Sequence, residues 1–426
     1  MATHIAQNII WNKKVYKLWF KTRPLNFSWM LVVIILFPIF AATWEMKKSS
    51  GFSPLQLLGV FVFLMGIMSI LRKKASAPNL IFTFYIFLFL LVINLLLVLV
   101  YEGSFSQFGD TIRAILPFVL FFYFRKHINS MIDLEGFLIT FLIASIFPIA
   151  TLYFEILFNP IREVYNTESR GGGLRLSGLY ADLFGYMSHL ICGFLAYCYF
   201  YIRNINKKKK HFIFSNFGFV IVLVICLVGI YNLRHQASWA VSLMLLLLFV
   251  YFIRKKVSVL QLFIFFLIMC GVGVYFYIEI FEVLYAKDIN VYDGDAKDEA
   301  ALNGRVWIWK RYFAYWEDFS VLAQWLGSGL AQHEKSSVMM GGGMHNEYVR
   351  FFFSTGIIGI LCFVSFLIYL IRKAFKIRVV ELKYLMLGAI LIIVLYGISS
   401  LPLLSSGLLT YFVMAVTSQI NKRNLC

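Results

Sequence analysis

Long apolar runs alternate with short polar connectors along the whole chain. A helix needs about 20 apolar residues, roughly 17 to 25, to cross a bilayer. Twelve runs qualify as candidate spans: 25–43, 53–71, 80–100, 111–124, 136–158, 179–202, 217–232, 240–253, 258–277, 357–372, 384–400 and 403–418. The fourth, eighth and tenth are short. They either extend into neighbouring polar residues or lie in a protein-lined interior. The pattern predicts an all-α integral membrane protein with about twelve transmembrane helices.

The connectors set the orientation. Lys and Arg cluster at 13–23, 72–74, 125–126, 203–210, 254–256, 372–383 and 422–423. With twelve spans, every cluster falls on the side of the N-terminus, which then holds 25 basic residues against three acidic ones, Asp133, Glu135 and Glu381. The positive-inside rule places that side, with both termini, in the cytoplasm. The predicted organisation is a tail over 1–24, nine spans over 25–277, a large external loop over 278–356, three spans over 357–418 and a tail over 419–426. The first apolar run reads as an uncleaved signal anchor. The run Lys207–Lys210 is a topology anchor with affinity for anionic lipid.

An external loop as long as 278–356 in a compact membrane protein is usually functional. Its stretch 288–299, DINVYDGDAKDE, is acidic and solvated. Residues 304–326 predict a helix, with Val306, Trp309, Phe313 and Trp316 at three- and four-residue steps. Four of the nine tryptophans lie in it: Trp307, Trp309, Trp316 and Trp325. A Trp-rich amphipathic helix suits the membrane–water interface. The loop closes on GGGMHNEYVR, residues 341–350, a polar cluster at the mouth of an apolar run.

Composition agrees with the pattern. The chain is 61% hydrophobic and 14% charged, with a mean hydropathy of +0.80. Soluble domains are near half apolar and a quarter charged. The net charge of +18 does not indicate nucleic acid, because its basic residues sit between apolar runs rather than on one face. The six cysteines lack the paired spacing of a disulfide or zinc framework. There is no Walker-type lysine and no strand, Gly-loop and helix context, so no nucleotide or other cofactor is expected.

Candidate chemistry gathers on the external side. Arg170 and Arg175 precede the sixth span, Arg234 and His235 follow the seventh, and Arg305, His345 and Arg350 lie in the large loop. An Arg near hydrocarbon is costly unless it is paired or has a ligand. Several converging on one face suggest an anion, and guanidinium holds phosphate in a bidentate way. Bland readings stand beside these. Arg170 can be a solvated loop residue, Arg234 can snorkel to the interface, His235 can cap its helix end, and Lys310 and Arg311 can be a polar helix face. Arg305 opens a predicted helix, where its charge opposes the dipole, so stability alone would not choose it. His345 titrates near neutrality and can accept a proton from a hydroxyl. Glu347 is the reserve base. Asp293, Asp295, Asp298 and Glu299 lack EF-hand spacing, and no metal is expected.

Three ordered motifs resemble the bacterial O-antigen ligase and O-antigen polymerase superfamily over roughly residues 170–372. NLRHQASWAVSLMLLLL resembles its Arg-containing span start, NGRVWIWKRYF followed by LGSG its Gly-Arg, Trp and Gly-x-Gly pattern, and MHNEYV its His-Asn motif before a span. The loop RLSGLYADLFGYM lacks the Pro-Asn pair of that family, and Val349 replaces a Leu. The resemblance implies a GT-C-like fold in the bacterial inner membrane. It also implies an inverting, metal-independent glycosyltransferase acting on the periplasmic side. The donor would be an oligosaccharide on undecaprenyl pyrophosphate, and the acceptor a glycan hydroxyl. Membrane lipids and a chain-length regulator are the further partners expected, and no nucleic acid. His345, Arg305 and Arg234 would be catalytic. Arg175, Arg170, Asn346, Glu347, Arg350 and His235 would bind substrate, with Asn346 orienting the imidazole. The expected activity is a polymerase, with a ligase to lipid A-core or protein as the alternative. A transporter of the same lipids and an envelope scaffold are the other classes. The near absence of charge within the spans disfavours the transporter.

Overall fold

The computed structural model describes residues 11, 13–43, 53–72, 80–102, 105–158, 161, 176, 180, 184–206, 213–233, 235–258, 263, 267, 270–271, 273–274, 305–328, 345–403 and 407–422. Among them the regular structure is entirely helical. The helices are α1 (Lys13–Lys21), α2 (Leu25–Ala42), α3 (Pro54–Leu71), α4 (Phe82–Glu102), α5 (Phe105–His127), α6 (Met131–Leu157) and α7 (Phe184–Asn206). They continue with α8 (Asn216–Leu233), α9 (Gln236–Ile253), α10 (Arg305–Glu317), α11 (Val321–Leu326), α12 (Glu347–Phe375), α13 (Val380–Ser399) and α14 (Leu408–Thr417). Seven of these are long and apolar enough to cross a membrane: α2, α3, α4, α6, α8, α12 and α13. α9 and α14 are shorter apolar helices. Eleven of the twelve predicted runs fall on helices, and the ninth lies mostly outside the described residues.

The short runs are resolved in both ways that the physics allows. The fourth, eighth and tenth extend into polar flanks as α5, α9 and α12. α12 begins at Glu347, so the last residues of the predicted external loop are helical up to Gly356. There the backbone turns out of the helix (φ 68°) before the apolar half continues. The twelfth run shrinks to the ten residues of α14, every one of them buried. A helix too short to span is tolerated here because α5, α7 and α13 wall it off from lipid.

Local chemistry sets the ends. Ser53 and Ser130 form reciprocal capping boxes with Gln56 and Asp133 at the starts of α3 and α6. Asn346 caps α12 and Ser320 caps α11, each by accepting from the backbone N–H three residues on. The predicted helix over 304–326 is corrected at this second cap. It is two helices, because Ser320 starts a new one. The packed stripe overlaps the predicted one: Ile308, Tyr312 and Trp316 turn inward, and Phe313, though 41% exposed, sets its ring 5.5 and 5.6 Å from Phe352 and Phe353.

Packing forms one bundle. α12 lies along α4 and against α13; α7 sits among α6, α8, α9, α13 and α14. Polar groups collect at two opposite ends of α13. Near its start, Glu381 accepts from Asn206 (3.1 Å), and beside it the buried Glu135 pairs with Arg203 (2.6 Å). Glu135 also accepts from Tyr199 (3.0 Å) and Trp11 (2.8 Å), which helps dock the N-terminal segment. Near the other end of α13 lie Asn346, Glu347, Tyr348 and Arg350.

Candidate functional site

The loop residues 329–344 lie outside the description, including Gly341–Gly343, and so do Arg170, Arg175, Arg234 and the acidic group Asp293, Asp295, Asp298 and Glu299. The structure does place His345, Asn346, Glu347, Arg350, Arg305 and His235.

His345 stands just ahead of the α12 cap, exposed, with its backbone in the left-handed region (φ 46°). Only one other non-glycine residue among those described has a positive φ. Such a conformation is uncommon outside glycine and survives only when the surroundings hold it. The next residues supply that hold. The Asn346 side chain accepts from the Val349 N–H (3.0 Å) and donates to the Ile398 carbonyl (2.9 Å). Both its functions are thus spent on backbone, one across to α13. Glu347 is about 1% exposed. Its Oε1 accepts from Arg350 Nε (2.7 Å) and Nη2, and its Oε2 accepts from the Leu403 N–H (3.0 Å). The carboxylate also lies in the first turn of α12, where the helix dipole favours negative charge. Tyr348 donates to the Val394 carbonyl (3.0 Å), and its ring rests on Gly397.

These contacts put Asn346, Glu347 and Arg350 in a fastening of α12 to α13 and to the connection after it. Glu347 and Arg350 are sealed against each other, with the Arg350 guanidinium also over the Phe351 ring (4.3 Å). Its Nη1 is buried and has no hydrogen-bond partner among the described residues.

Arg305 opens α10 and is half-buried. Its helix is held to α12 through a small separate cluster: Ile308, Tyr312, Trp316 and Phe319 against Val349, Phe352 and Phe353. The helix that begins with Arg305 therefore lies on the first turns of the helix that follows His345. α11 joins them at the break. Gly327 (φ 94°) and Gly356 (φ 68°) cross so closely that a Cβ on either would lie 2.4 Å from a backbone carbonyl oxygen, of Ser354 or of Trp325. Asn94, buried in the apolar α4, donates to the Leu326 carbonyl (2.8 Å) and ties α11 down. Val321, Leu322 and Trp325 stay exposed on α11, an apolar face suited to the membrane interface.

His235 occupies the two-residue break between α8 and α9. It makes no side-chain cap bond to backbone. Its Nδ1 meets Ser238 Oγ at 2.7 Å, and that hydroxyl shares a 2.5 Å hydrogen bond with the Tyr396 hydroxyl of α13. Its ring is buried and stacked on Tyr396 at 6.2 Å. Arg234 adjoins it in sequence. Two small cavities lie in the apolar bundle, one around Phe84, Phe118 and Phe366, the other around Ile191, Phe194 and Leu223; no candidate site residue lines either.

Sequence reasoning did not single out Tyr396, Tyr348, Ser238 or Asn94. The signal was present, since a hydroxyl or amide in an apolar run must find a partner. The partner's identity was not.

Residues 221–364, roughly a third of the chain, match the family model described as O-antigen ligase. No curated protein matches the chain. The matched stretch contains His235, Arg305 and His345. It supports the O-antigen ligase and polymerase superfamily, and with it a glycosyltransferase-like enzyme of a multi-pass membrane protein that handles lipid-linked glycans.

Proposed function

We propose that this chain is a polysaccharide polymerase. It transfers a glycan from undecaprenyl pyrophosphate to a hydroxyl of the next lipid-linked repeat unit, on the external face of the bacterial inner membrane. The observation that carries the reading is His345: an exposed imidazole in a left-handed turn, just ahead of a helix that packs against the one opened by Arg305.

In the reaction, His345 accepts the proton of the attacking hydroxyl. That oxygen bonds to the anomeric carbon from the face opposite the leaving group, and the bond from that carbon to the pyrophosphate oxygen breaks. Configuration inverts, and undecaprenyl pyrophosphate leaves with the bonding electron pair. Arg305 and Arg234, with Arg175 and Arg170, hold the pyrophosphate and offset the charge that grows on it. Preorganised cations aimed at developing charge are usually the largest single catalytic contribution. The exposed apolar face of α11, with the aromatic residues of α10, keeps the polyprenyl tail at the bilayer surface. No nucleotide, metal or other cofactor enters the step.

The description of the matching family favours a second reading, in which the same donor chemistry delivers the glycan to lipid A-core or to protein. Reconstitution tests both. Purified protein in liposomes receives one defined undecaprenyl-pyrophosphate repeat unit from its own source, without nucleotide. A ladder of products that is lost in His345→Ala establishes the polymerase. A single transfer only when a core-lipid acceptor is present establishes the ligase. Unchanged product in His345→Ala overturns the role of this residue.

A further inference from the structure

At the Glu135 end of the bundle, cations from the end of α5 meet a cation from the stretch after α14. Arg125 Nη1 donates to the Ser418 and Ile420 carbonyls (2.7 and 2.8 Å), just past α14. In return Lys422 donates to the Ile128 carbonyl, just past α5, and to Asn129 (3.3 Å). Lys126 donates to the Ser69 carbonyl near the end of α3. The charge of Arg125 acts on Lys422, and those of Lys126 and Lys422 both act on His127. Tyr85 of α4 and Tyr369 of α12 border Arg125. Lys373 lies over the Tyr369 ring at 5.5 Å. Three helix ends and one later stretch of chain thus bring their cations to one place.

We infer that Arg125 and Lys422 form a binding site for the phosphate head of an anionic lipid, in the leaflet opposite the proposed active site. The site does not depend on the catalytic reading of His345. The carbonyls occupy donors of both residues but cancel neither charge. The carboxylate that acts on Lys422 is Asp133. Its oxygens are already taken: Oδ1 by Arg23 and Trp19 (3.3 Å), Oδ2 by the Asn129 and Ser130 N–H groups (3.1 Å each). Neither Arg125 nor Lys422 has an ion pair with a carboxylate among the described residues. Both are half-buried. Like charges held together away from full solvent are costly unless an anion joins them. Burial and Arg125 push the Lys422 ammonium down to about 8, as befits a cation short of a counter-ion. Among the described residues Arg125 donates through Nη1, which leaves Nε and Nη2 for a bidentate grip on phosphate.

The rim of the site selects a lipid rather than a free phosphate. Leu71 closes α3 two residues after Ser69, Phe82 precedes Tyr85 by three, and Phe375 follows Lys373 by two. They are 77%, 75% and 61% exposed. An acyl chain covers such a rim, which a free phosphate leaves in water. The 20 residues of α13 between this end and the His345 end span about 30 Å, the thickness of a bilayer core.

The test uses the full-length protein in a neutral detergent, stripped of lipid. It receives dioctanoyl phosphatidylglycerol, dioctanoyl phosphatidylcholine or inorganic phosphate, and the shift in thermal unfolding gives an apparent Kd. Phosphatidylglycerol should raise the melting temperature saturably, and phosphatidylcholine, whose choline offsets the phosphate, should not. Losing one charge-assisted contact costs about 10-fold in affinity. Lys422→Met keeps the aliphatic stem and should raise the Kd by about that factor. Arg125→Lys keeps the charge without the fork and should raise it by less; it carries the test if Lys422→Met does not fold. The control replaces Lys13, Lys14 and Lys17, exposed on α1 at the same end of the bundle, by Gln together. It removes three charges from outside the site and should leave the Kd unchanged. Native mass spectrometry should find one retained phosphatidylglycerol, lost in Lys422→Met. Equal stabilisation by inorganic phosphate overturns the choice of a lipid. Equal response to both lipids, no response, or a control that weakens binding as much as Lys422→Met overturns the site itself.

Discussion

Two buried carboxylate–guanidinium pairs, near opposite ends of α13, are built from the same groups and do different work. Glu135–Arg203 joins α6 to α7 and is saturated: the carboxylate also accepts from Tyr199 and from Trp11, so three separate parts of the chain meet on it. Glu347–Arg350 is local, three residues apart on α12, and leaves Nη1 of the guanidinium buried without a hydrogen-bond partner among the described residues. The first pair assembles the bundle. The second stiffens one helix start and hands its spare carboxylate oxygen to the Leu403 N–H. A buried ion pair is thus no guide to function on its own. Its meaning lies in what its remaining valences hold. The second pair holds the turn that carries His345.

The comparison breaks most visibly at Arg203. Removing one partner of a buried pair leaves an uncompensated charge and costs about 3–5 kcal/mol. Arg203→Ala should therefore sharply lower the melting temperature and the yield of folded protein, with activity lost only in proportion. Glu347→Gln should show the reverse balance. The shape survives and the amide can still accept from Leu403 N–H, but Arg350 loses its counter-charge. Activity should fall by more than the loss of folded protein explains, read as kcat per folded molecule. If the melting temperature and activity fall together, the two pairs do the same work.

A smaller effect is expected at Asn346. Losing an N-cap costs about 1 kcal/mol, and Asn346→Ala also frees the Ile398 carbonyl. Asn346→Ser, which keeps the cap but cannot reach α13, separates the two. If the link to α13 matters, activity stays low in Asn346→Ser while the melting temperature recovers.

A pH-dependent effect lies at the Glu135 end of the bundle. Lys422 donates to the Ile128 carbonyl and to Asn129 (3.3 Å). Burial, then the nearby Arg125, pushes its ammonium down to about 8, against a partial pull upward from Asp133. Because the folded value lies below the unfolded one, the unfolded chain binds more protons between about pH 8 and the ordinary lysine range. Stability should therefore rise with pH across that window. In Lys422→Met the rise should disappear, as measured by thermal unfolding at pH 7.5, 9 and 10.5.

The candidate residues were legible as a list. His345, Asn346, Glu347 and Arg350 stand out because polar residues crowd the mouth of an apolar run, and Arg305 because its charge opposes a helix start. Their division of labour was not legible. Asn346 and Glu347 read as neighbours of an imidazole. They are spent on Ile398 and Leu403, more than fifty residues away. The helix over 304–326 was legible as amphipathic, with Phe313 and Trp316 on the packed side, but Ile308 and Tyr312 and the break at Ser320 were passed over. Aromatic residues cover that helix on several faces, so periodicity did not choose among them; Phe352 and Phe353 of α12 did.

The sequence by itself determined that this is a helical membrane protein, because a run of apolar residues long enough for a bilayer carries its own length and its own solvent. It determined where the unusual polar residues lie, because each interrupts such a run. Only the tertiary structure decided which of them are spent on holding the fold: Glu347 on Arg350 and Leu403, Asn346 on Val349 and Ile398, and His235 on Ser238, and through it Tyr396. It also decided that α14 can be short and that α12 breaks where Gly327 meets Gly356. Pairing, wall and close approach all depend on residues distant in the chain, and a buried polar group takes whichever partner the packing brings within 3 Å.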